Sequence, residues 1–286
     1  ATARLIRRHP IRLRPTRRLH RIRHQQIHLR PIPLRRRAHR GRKKRYQCRS
    51  NLLEEYMETY QFKVIAKIHT DFPDKFGLPR QSGIVKGLSG RIVFEPEYRD
   101  FSAVRELAQY SHIWAIWIFS RTEKGKKWSP TVRPPRLGGN ERVGVFATRS
   151  PNRPNPVGIS ALKLEKVEND KKYGPVIYVS GIDMCDKTPV IDIKPYISFT
   201  DSYPDAVNGF AGERYGKALD VIIPETVKAA LPAGALEQLY GVLSEDPRPR
   251  YHDDPDRIYG FSFCGFEIKF QVHGNILSVL SVIKSS

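Results

Sequence analysis

The first fifty residues of this 286-residue chain contain no aspartate and no glutamate, although they hold 17 arginines and 2 lysines. The rest carries 31 basic against 29 acidic side chains, so the formal net charge of +21 belongs almost wholly to the leader. Bulk charge therefore does not make the body a nucleic-acid binder; only a local basic patch could. Cysteine is scarce as well. Cys48, Cys185 and Cys264 are odd in number, far apart and without CxxC or Cys-His spacing, so neither a disulfide framework nor a metal site is indicated. No apolar run approaches the roughly 20 residues of a membrane span, and the longest, 113–119, suits a buried strand. These absences suit a soluble protein of a reducing cytoplasm. Also missing are GxGxxG after a strand, Walker A, HExxH and GxSxG, which removes support for dinucleotide-binding sheets, P-loop enzymes, zincins and serine hydrolases.

The leader is dominated by Arg, His, Pro and Leu, with no apolar period and no acid to pair its charges. Such a segment cannot bury enough surface to offset its chain entropy and is expected to be disordered. The first methionine is Met57, just before the first convincing strand. Residues 1–56 accordingly read as upstream sequence ahead of a chain that begins at Met57. An RNA-binding arm, since arginines neutralise phosphates, and a targeting segment stay open.

From Met57 the pattern is mostly β. Phe62, Val64, Ala66 and Ile68 alternate with Lys63 and Lys67, as in a strand with one wet face. Further strands are predicted at 91–95, 111–119, 143–148, 157–167, 176–182 and 190–193. One helix is expected after Asp100, carrying Phe101, Val104, Leu107 and Ala108 on one side. Many short strands divided by Gly- and Pro-containing turns argue for a single β-barrel domain over 57–205. The long connection 121–142 is of the kind that carries function. A small α+β module over 206–286 is expected to hold a strand at 218–222, a helix opened by Pro224, a helix at 235–243 and a three-stranded meander at 258–263, 266–272 and 276–283.

Four segments carry more information: FGLPRQSGIVK (76–86), WSPTVRPPRLGGNERVGVFATRSPNRPNPVGIS (128–160), GIDMCDKTPVIDIKPY (181–196) and EDPRPRY (245–251). In this order and spacing they resemble the TrmO family, also called TsaA-like or YaeB-like, over essentially all of 57–286. The resemblance implies a β-barrel that binds S-adenosylmethionine without a Rossmann sheet and works as a homodimer. It further implies methylation of N6 of N6-threonylcarbamoyladenosine at position 37 of tRNA.

The residues make chemical sense beside blander readings. Pro79, Arg80 and Gln81 set a donor fork and an amide on a turn, or form an ordinary exposed turn; the resemblance implies cofactor contact. In 149–158 prolines stiffen a segment bearing Arg149, Arg153 and Asn155, or the arginines merely sit in solvent. The resemblance places Arg149 on the cofactor and Gly158 and Ile159 near its adenosine. Asp183 and Asp186 flank Met184 and Cys185 at a strand end, a polar turn on residues alone and a cofactor-pocket wall by resemblance. Ser120 and Arg121 map to a third contact region, although many relatives have His where Ser120 stands. Arginines on stiffened loops suit phosphates and stacked bases. Arg133, Arg136, Arg153, Asn155, Arg248, Arg250 and Tyr251 are thus RNA-contact candidates, against the alternative of a solvated charged surface.

A general base would help methyl transfer to a conjugated nitrogen. Asp183 and Asp186 are the candidates, with neither assigned, and no metal is required. A non-catalytic RNA-binding barrel and a methyltransferase with another acceptor are the alternatives. Deleting residues 1–56 is expected to leave folding and cofactor binding unchanged. Thermal unfolding and calorimetry on the truncated chain check this, and a large loss of stability would refute it.

Overall fold

The structure, a computed structural model, describes residues 58–122, 128–134, 141–214, 218–232, 234–248 and 254–285. The leader and Met57 lie outside the described residues. The chain divides into two units, 1–59 and 60–286, and the elements below all belong to the second.

The chain is mostly β, as expected. The first eight strands are β1 (Ala66–Thr70), β2 (Ser89–Phe94), β3 (His112–Ile118), β4 (Thr131–Val132), β5 (Val143–Gly144), β6 (Val157–Asp170), β7 (Gly174–Ser180) and β8 (Thr188–Pro195). Six of them close an antiparallel barrel in the order β1-β2-β7-β6-β3-β8, and β4 and β5 make a separate ribbon. Alternation explains the barrel wall. Ile113, Ala115 and Trp117 of β3 point inward beside Leu162 and Leu164 of β6 and Ile177 and Val179 of β7, all buried, while the intervening side chains face out.

Closure brings three connections to one end. Ser89 pairs with Ser180, Ile118 with Val157 and Ile68 with Thr188. The β1–β2 loop (71–88), the long β3–β6 connection (119–156) and the β7–β8 turn (181–187) therefore share a rim.

A short helix α1 (Ser198–Asp201) follows the barrel. Then come β9 (Asp220–Ile222), α2 (Glu225–Lys228), α3 (Ala235–Ser244), β10 (Tyr259–Phe263), β11 (Phe266–His273) and β12 (Ile276–Lys284). The last three strands form the expected meander, and β9 adds to it parallel to β12. Helix α3 buries Ala235, Leu239, Val242 and Leu243, and one continuous apolar core runs from the barrel into this sheet.

The second sheet grips the β1–β2 loop. Phe72 packs on Phe263 with ring centroids 5.3 Å apart, and Phe76 meets Phe261 edge-on at 6.3 Å. Gly77 has φ +80°, and a Cβ there would lie 2.3 Å from the Phe261 ring. Gly241 of α3 lies so close to Val85 that a Cβ would approach its Cγ1 to 2.7 Å. The Gln238 side-chain amide donates to the Gly87 carbonyl at 2.8 Å.

Three local expectations fail for identifiable reasons. The first strand starts at Ala66, because β2 and β8 offer no partner opposite Phe62 and Val64, and Phe62 is 69% exposed. The helix after Asp100 is a set of 3-10 turns. Asp100 does cap the backbone N–H of Ser102 at 2.9 Å, but Arg105 turns extended and Glu106 takes φ 66°, which ends the coil. The strand at 143–148 stops at Gly144, and Val145–Ala147 coil instead so that Val145 is buried.

Gly77→Ala is expected to destabilise the fold by about 2–5 kcal/mol, since left-handed backbone costs roughly 1–2 and overpacking about 1–3. Thermal unfolding measures it, and an unchanged Tm would mean that Phe261 does not seat against this loop.

Candidate active site

At the shared rim one carboxylate sits among buried groups. Asp183 Oδ1 accepts from the Ser160 hydroxyl at 2.6 Å, and Ser160 Oγ accepts from Trp117 Nε1 at 2.9 Å. Ser160 is buried on the inner face of β6 and Trp117 on that of β3. Trp117 can lie across β6 because its strand partner is Gly158, where a Cβ would approach the ring to 2.4 Å. A register shift between β3 and β8 falls at Ile116/Trp117, and such irregularities commonly re-aim a side chain.

Burial pushes the Asp183 carboxyl up from 3.8 to about 6; hydrogen bonds from Ser160 and the Ser82 backbone, and the charge of Arg149, pull the other way. Arg149 Nη1 in turn donates to Gln81 Oε1. Gln81, Ser82, Arg149, Ser160 and Asp183 thus form one connected cluster drawn from three loops and a strand. Gly83 N–H donates to Gly181 O at 2.9 Å and so ties two of those loops together.

Asp186 belongs to a neighbouring tie. Its Oδ1 accepts from the Thr70 N–H at 3.3 Å and lies 3.2 Å from His69 Nδ1. Its own N–H donates to Phe72 O at 2.8 Å. Arg121 donates to the carbonyls of Asp186, at 3.2 Å, and of Pro73. Arg121 therefore straps two loops together through backbone.

The remaining sequence candidates are distributed as follows. Met184 is fully buried in the core, and Cys185 is nearly so, with burial pushing its thiol up; both lie inside the wall. Gly158 packs against Trp117, while Ile159 points outward and is half exposed. Pro79 is buried and Arg80 partly buried on the β1–β2 loop, and Ser120 is exposed. Of the RNA-contact candidates, Arg133 and Asn155 are exposed, and Arg153 donates to the Thr148 carbonyl at 3.2 Å. Arg248, an RNA-contact candidate on a stiffened loop, is engaged within its own turn. Its guanidinium forms a two-pronged pair with Asp246 at 2.9 and 3.0 Å, because left-handed backbone at Asp246 (φ 53°) folds the turn back. Arg136, Arg250 and Tyr251 lie outside the described residues.

Among the described residues no group of three or more His, Cys, Asp or Glu could hold a metal ion. No helix there is long and apolar enough to cross a membrane. A groove of about 570 Å³ opens in the second sheet's half, lined by Val221, Ile222, Ile223, Leu236 and Tyr240. It contains none of the clustered polar groups above.

The model of the tRNA-methyltransferase O N-terminal domain matches residues 67–202, and that of the TrmO C-terminal domain matches residues 217–285. The chain belongs to the tRNA-methyltransferase O family. It is similar to the tRNA (adenine(37)-N6)-methyltransferase of Escherichia coli (strain K12), 38% identical over 226 residues, 76% of this chain and 94% of that protein. The Eikenella corrodens protein of the same name is 42% identical over 175 residues, 61% of this chain and 97% of its own length. A crystal structure of TrmO from Pseudomonas aeruginosa matches with a TM-score of 0.63 at 29% identity, covering 79% of this chain and 99% of that one.

Ser160, Trp117 and Ser82 were not singled out from the sequence of this TrmO-family chain. A signal existed, since Ser160 is polar at an inward position of a strand and Gly158 marks a close approach two residues earlier.

The raised Asp183 value has a stability consequence whose sign is opposite to the usual aspartate case. Because the folded value lies above the unfolded one, between pH 3.8 and about 6 the folded chain holds a proton that the unfolded chain has released. Asp183 therefore lowers stability as pH rises through that window, by at most about 3 kcal/mol, with no further change above it. The difference between wild type and Asp183→Asn, measured by thermal unfolding at pH 4 and pH 7, should show this slope. A constant difference would place Asp183 in an ordinary solvated setting.

Proposed function

We propose that this chain transfers a methyl group from S-adenosylmethionine to N6 of the adenosine at position 37 of tRNA. We infer further that this adenosine already carries a threonylcarbamoyl group on N6, and that the protein acts as a cytoplasmic homodimer. One observation supports the reading above all: a half-buried carboxylate, a guanidinium and an amide converge at the barrel rim in a chain of this family.

The donor set fits the cofactor's chemistry. Arg149 offers a charged fork suited to a carboxylate, and Asp183 a carboxylate suited to an ammonium group or hydroxyls. Gln81 and Arg80 add amide and guanidinium donors on a loop clamped from behind by the second sheet. When bound, the cofactor supplies an electrophilic methyl group on a sulfonium.

The chain's own contribution is positional and electrostatic. The rim loops are tied to one another by Arg121, Asp186 and the Gly83–Gly181 hydrogen bond, so that an adenosine placed between them meets fixed dipoles. Asp183, with a value near 6, is ionised at neutral pH yet basic enough to take the N6 proton as the new C–N bond forms. Asp186, engaged with Thr70 and His69, holds the loop instead. Arg133 and Asn155, both exposed, are the tRNA contacts of this reading. Phe199, Tyr203 and Val207, which are 91, 76 and 95% exposed, offer apolar surface that a second copy would cover.

The test is to incubate the chain with labelled cofactor and either native bulk tRNA or an unmodified transcript, then identify the product nucleoside by mass spectrometry. Methylated threonylcarbamoyladenosine from native tRNA alone is the expected result. Equal methylation of the transcript overturns the substrate assignment, and no transfer at all overturns the activity. In the same series Arg149→Ala should weaken cofactor binding about ten-fold or more, the loss of a charge-assisted contact of roughly 1.5–3 kcal/mol.

A further inference from the structure

While Asp183 is ionised, the hydrogen bonds that run from Trp117 through Ser160 to Asp183 have one direction. An indole nitrogen donates and never accepts. Trp117 Nε1, at 2.9 Å, therefore occupies a lone pair of Ser160 Oγ. Ser160 has one hydroxyl proton, and an ionised carboxylate beside it can only accept. The oxygen 2.6 Å away is Asp183 Oδ1, so the proton is directed there. A hydroxyl donating to Oδ1 opposes a proton on that same oxygen. A proton that reaches the ionised carboxylate while Ser160 donates to Oδ1 is thus directed to Oδ2.

We propose that Trp117 and Ser160 are positioning residues which select Oδ2 of Asp183 as the atom that receives the N6 proton of the acceptor adenosine. In this step the N6–H bond breaks, its proton goes to Oδ2 and the electron pair stays on N6 to form the bond to the methyl carbon, whose bond to the donor's sulfonium sulfur would break with its pair left on that sulfur as a neutral thioether. The inference rests on the reading of Asp183 as the base and adds how its reactive oxygen is chosen.

The surroundings of Asp183 make the relay the main adjustable influence. From β6 comes the Ser160 hydroxyl, from the β1–β2 loop the Ser82 backbone N–H, and from the segment leading into β6 the positive charge of Arg149. Arg149 is partly committed to Gln81. The relay itself is shielded, since both Trp117 and Ser160 are buried and the ring is held over Gly158 by β3–β6 pairing. A shielded hydrogen bond between fixed groups retains its strength better than an exposed one. Trp117 is further held by Phe119, edge-on with centroids 4.3 Å apart.

The sign of the effect follows. Ser160 donates to the ionised carboxylate and favours it, so removing the hydroxyl makes Asp183 harder to ionise. The acid limb of the methyl-transfer rate should then move to higher pH. Removing only the indole N–H frees the Ser160 hydroxyl to rotate, which weakens its donation and moves the limb the same way by less.

The test is a set of pH–rate profiles of kcat and kcat/KM on native tRNA for wild type, Ser160→Ala, Ser160→Thr, Trp117→Phe and Asp183→Asn. Ser160→Ala should shift the acid limb from about 6 upward by about one pH unit, lowering kcat about two-fold at pH 7 and nearly ten-fold at pH 5, with KM for tRNA unchanged. Ser160→Thr, which keeps the hydroxyl, should return the limb to its wild-type position. Trp117→Phe, which keeps a ring over Gly158, should shift it by a smaller amount. If Asp183→Asn abolishes the limb but Ser160→Ala leaves it in place, the relay proposal is overturned and Asp183 remains the base. If Asp183→Asn keeps both the limb and the rate, the reading of Asp183 as base is overturned, and the relay proposal with it.

Discussion

Everything at the rim depends on an aromatic seam between the β1–β2 loop and the second sheet. The loop runs for 18 residues without a strand of its own, and ordering that much backbone costs on the order of 1–2 kcal/mol per residue. Burying a phenylalanine returns roughly 1.5–3 kcal/mol, so Phe261 and Phe263 alone would offset only a few residues. The loop is held because the seam is reinforced along its length. Gly77 admits the Phe261 ring, Gly241 admits Val85 and the Gln238 side-chain amide donates to the Gly87 carbonyl, while backbone hydrogen bonds of Gly83 and Leu88 with Gly181 fasten the loop to the barrel. The second sheet is thus a structural part of the site, even though none of the clustered polar groups comes from it.

Two aspartates three positions apart on one turn acquire different characters from their surroundings. Asp186 faces Thr70 and His69 at the end of β1 and keeps two loops in register. Asp183 faces Ser160 at the rim, where burial makes its charge costly and the Ser160 hydroxyl, the Ser82 backbone and Arg149 offset part of that cost. Neither character is a property of aspartate itself.

How far the sequence could be read follows from how local each cause is. Barrel strands such as β3 and β6 show their alternation within a few residues, so the mostly β fold was legible. The site loops were legible only through long motifs resembling a family, since turns rich in Pro, Arg and Asp look alike without their partners. Trp117 and Ser160 escaped because their meeting depends on which strands pair across 43 positions. β9 pairs parallel with β12 although its three residues show no period. The pairing of Arg248 with Asp246 could not be read ahead because it depends on a left-handed turn at Asp246. The supposed helix after Asp100 failed at Glu106, whose backbone no propensity would assign to the left-handed region.

The seam also sets an order in time. Asp71 meets Cys264 across 193 positions, and the Thr70 amide reaches Asp186 across 116. Such contacts must wait for loop closure over long stretches of chain, which slows folding relative to local pairing. During synthesis the β1–β2 loop is made long before the strands that clasp it, and β1 waits for β8 before the barrel can close. The barrel rim is therefore finished late, when β10 and β11 dock, and a nascent chain that has not yet reached them carries the polar residues of the site without the geometry that makes them one.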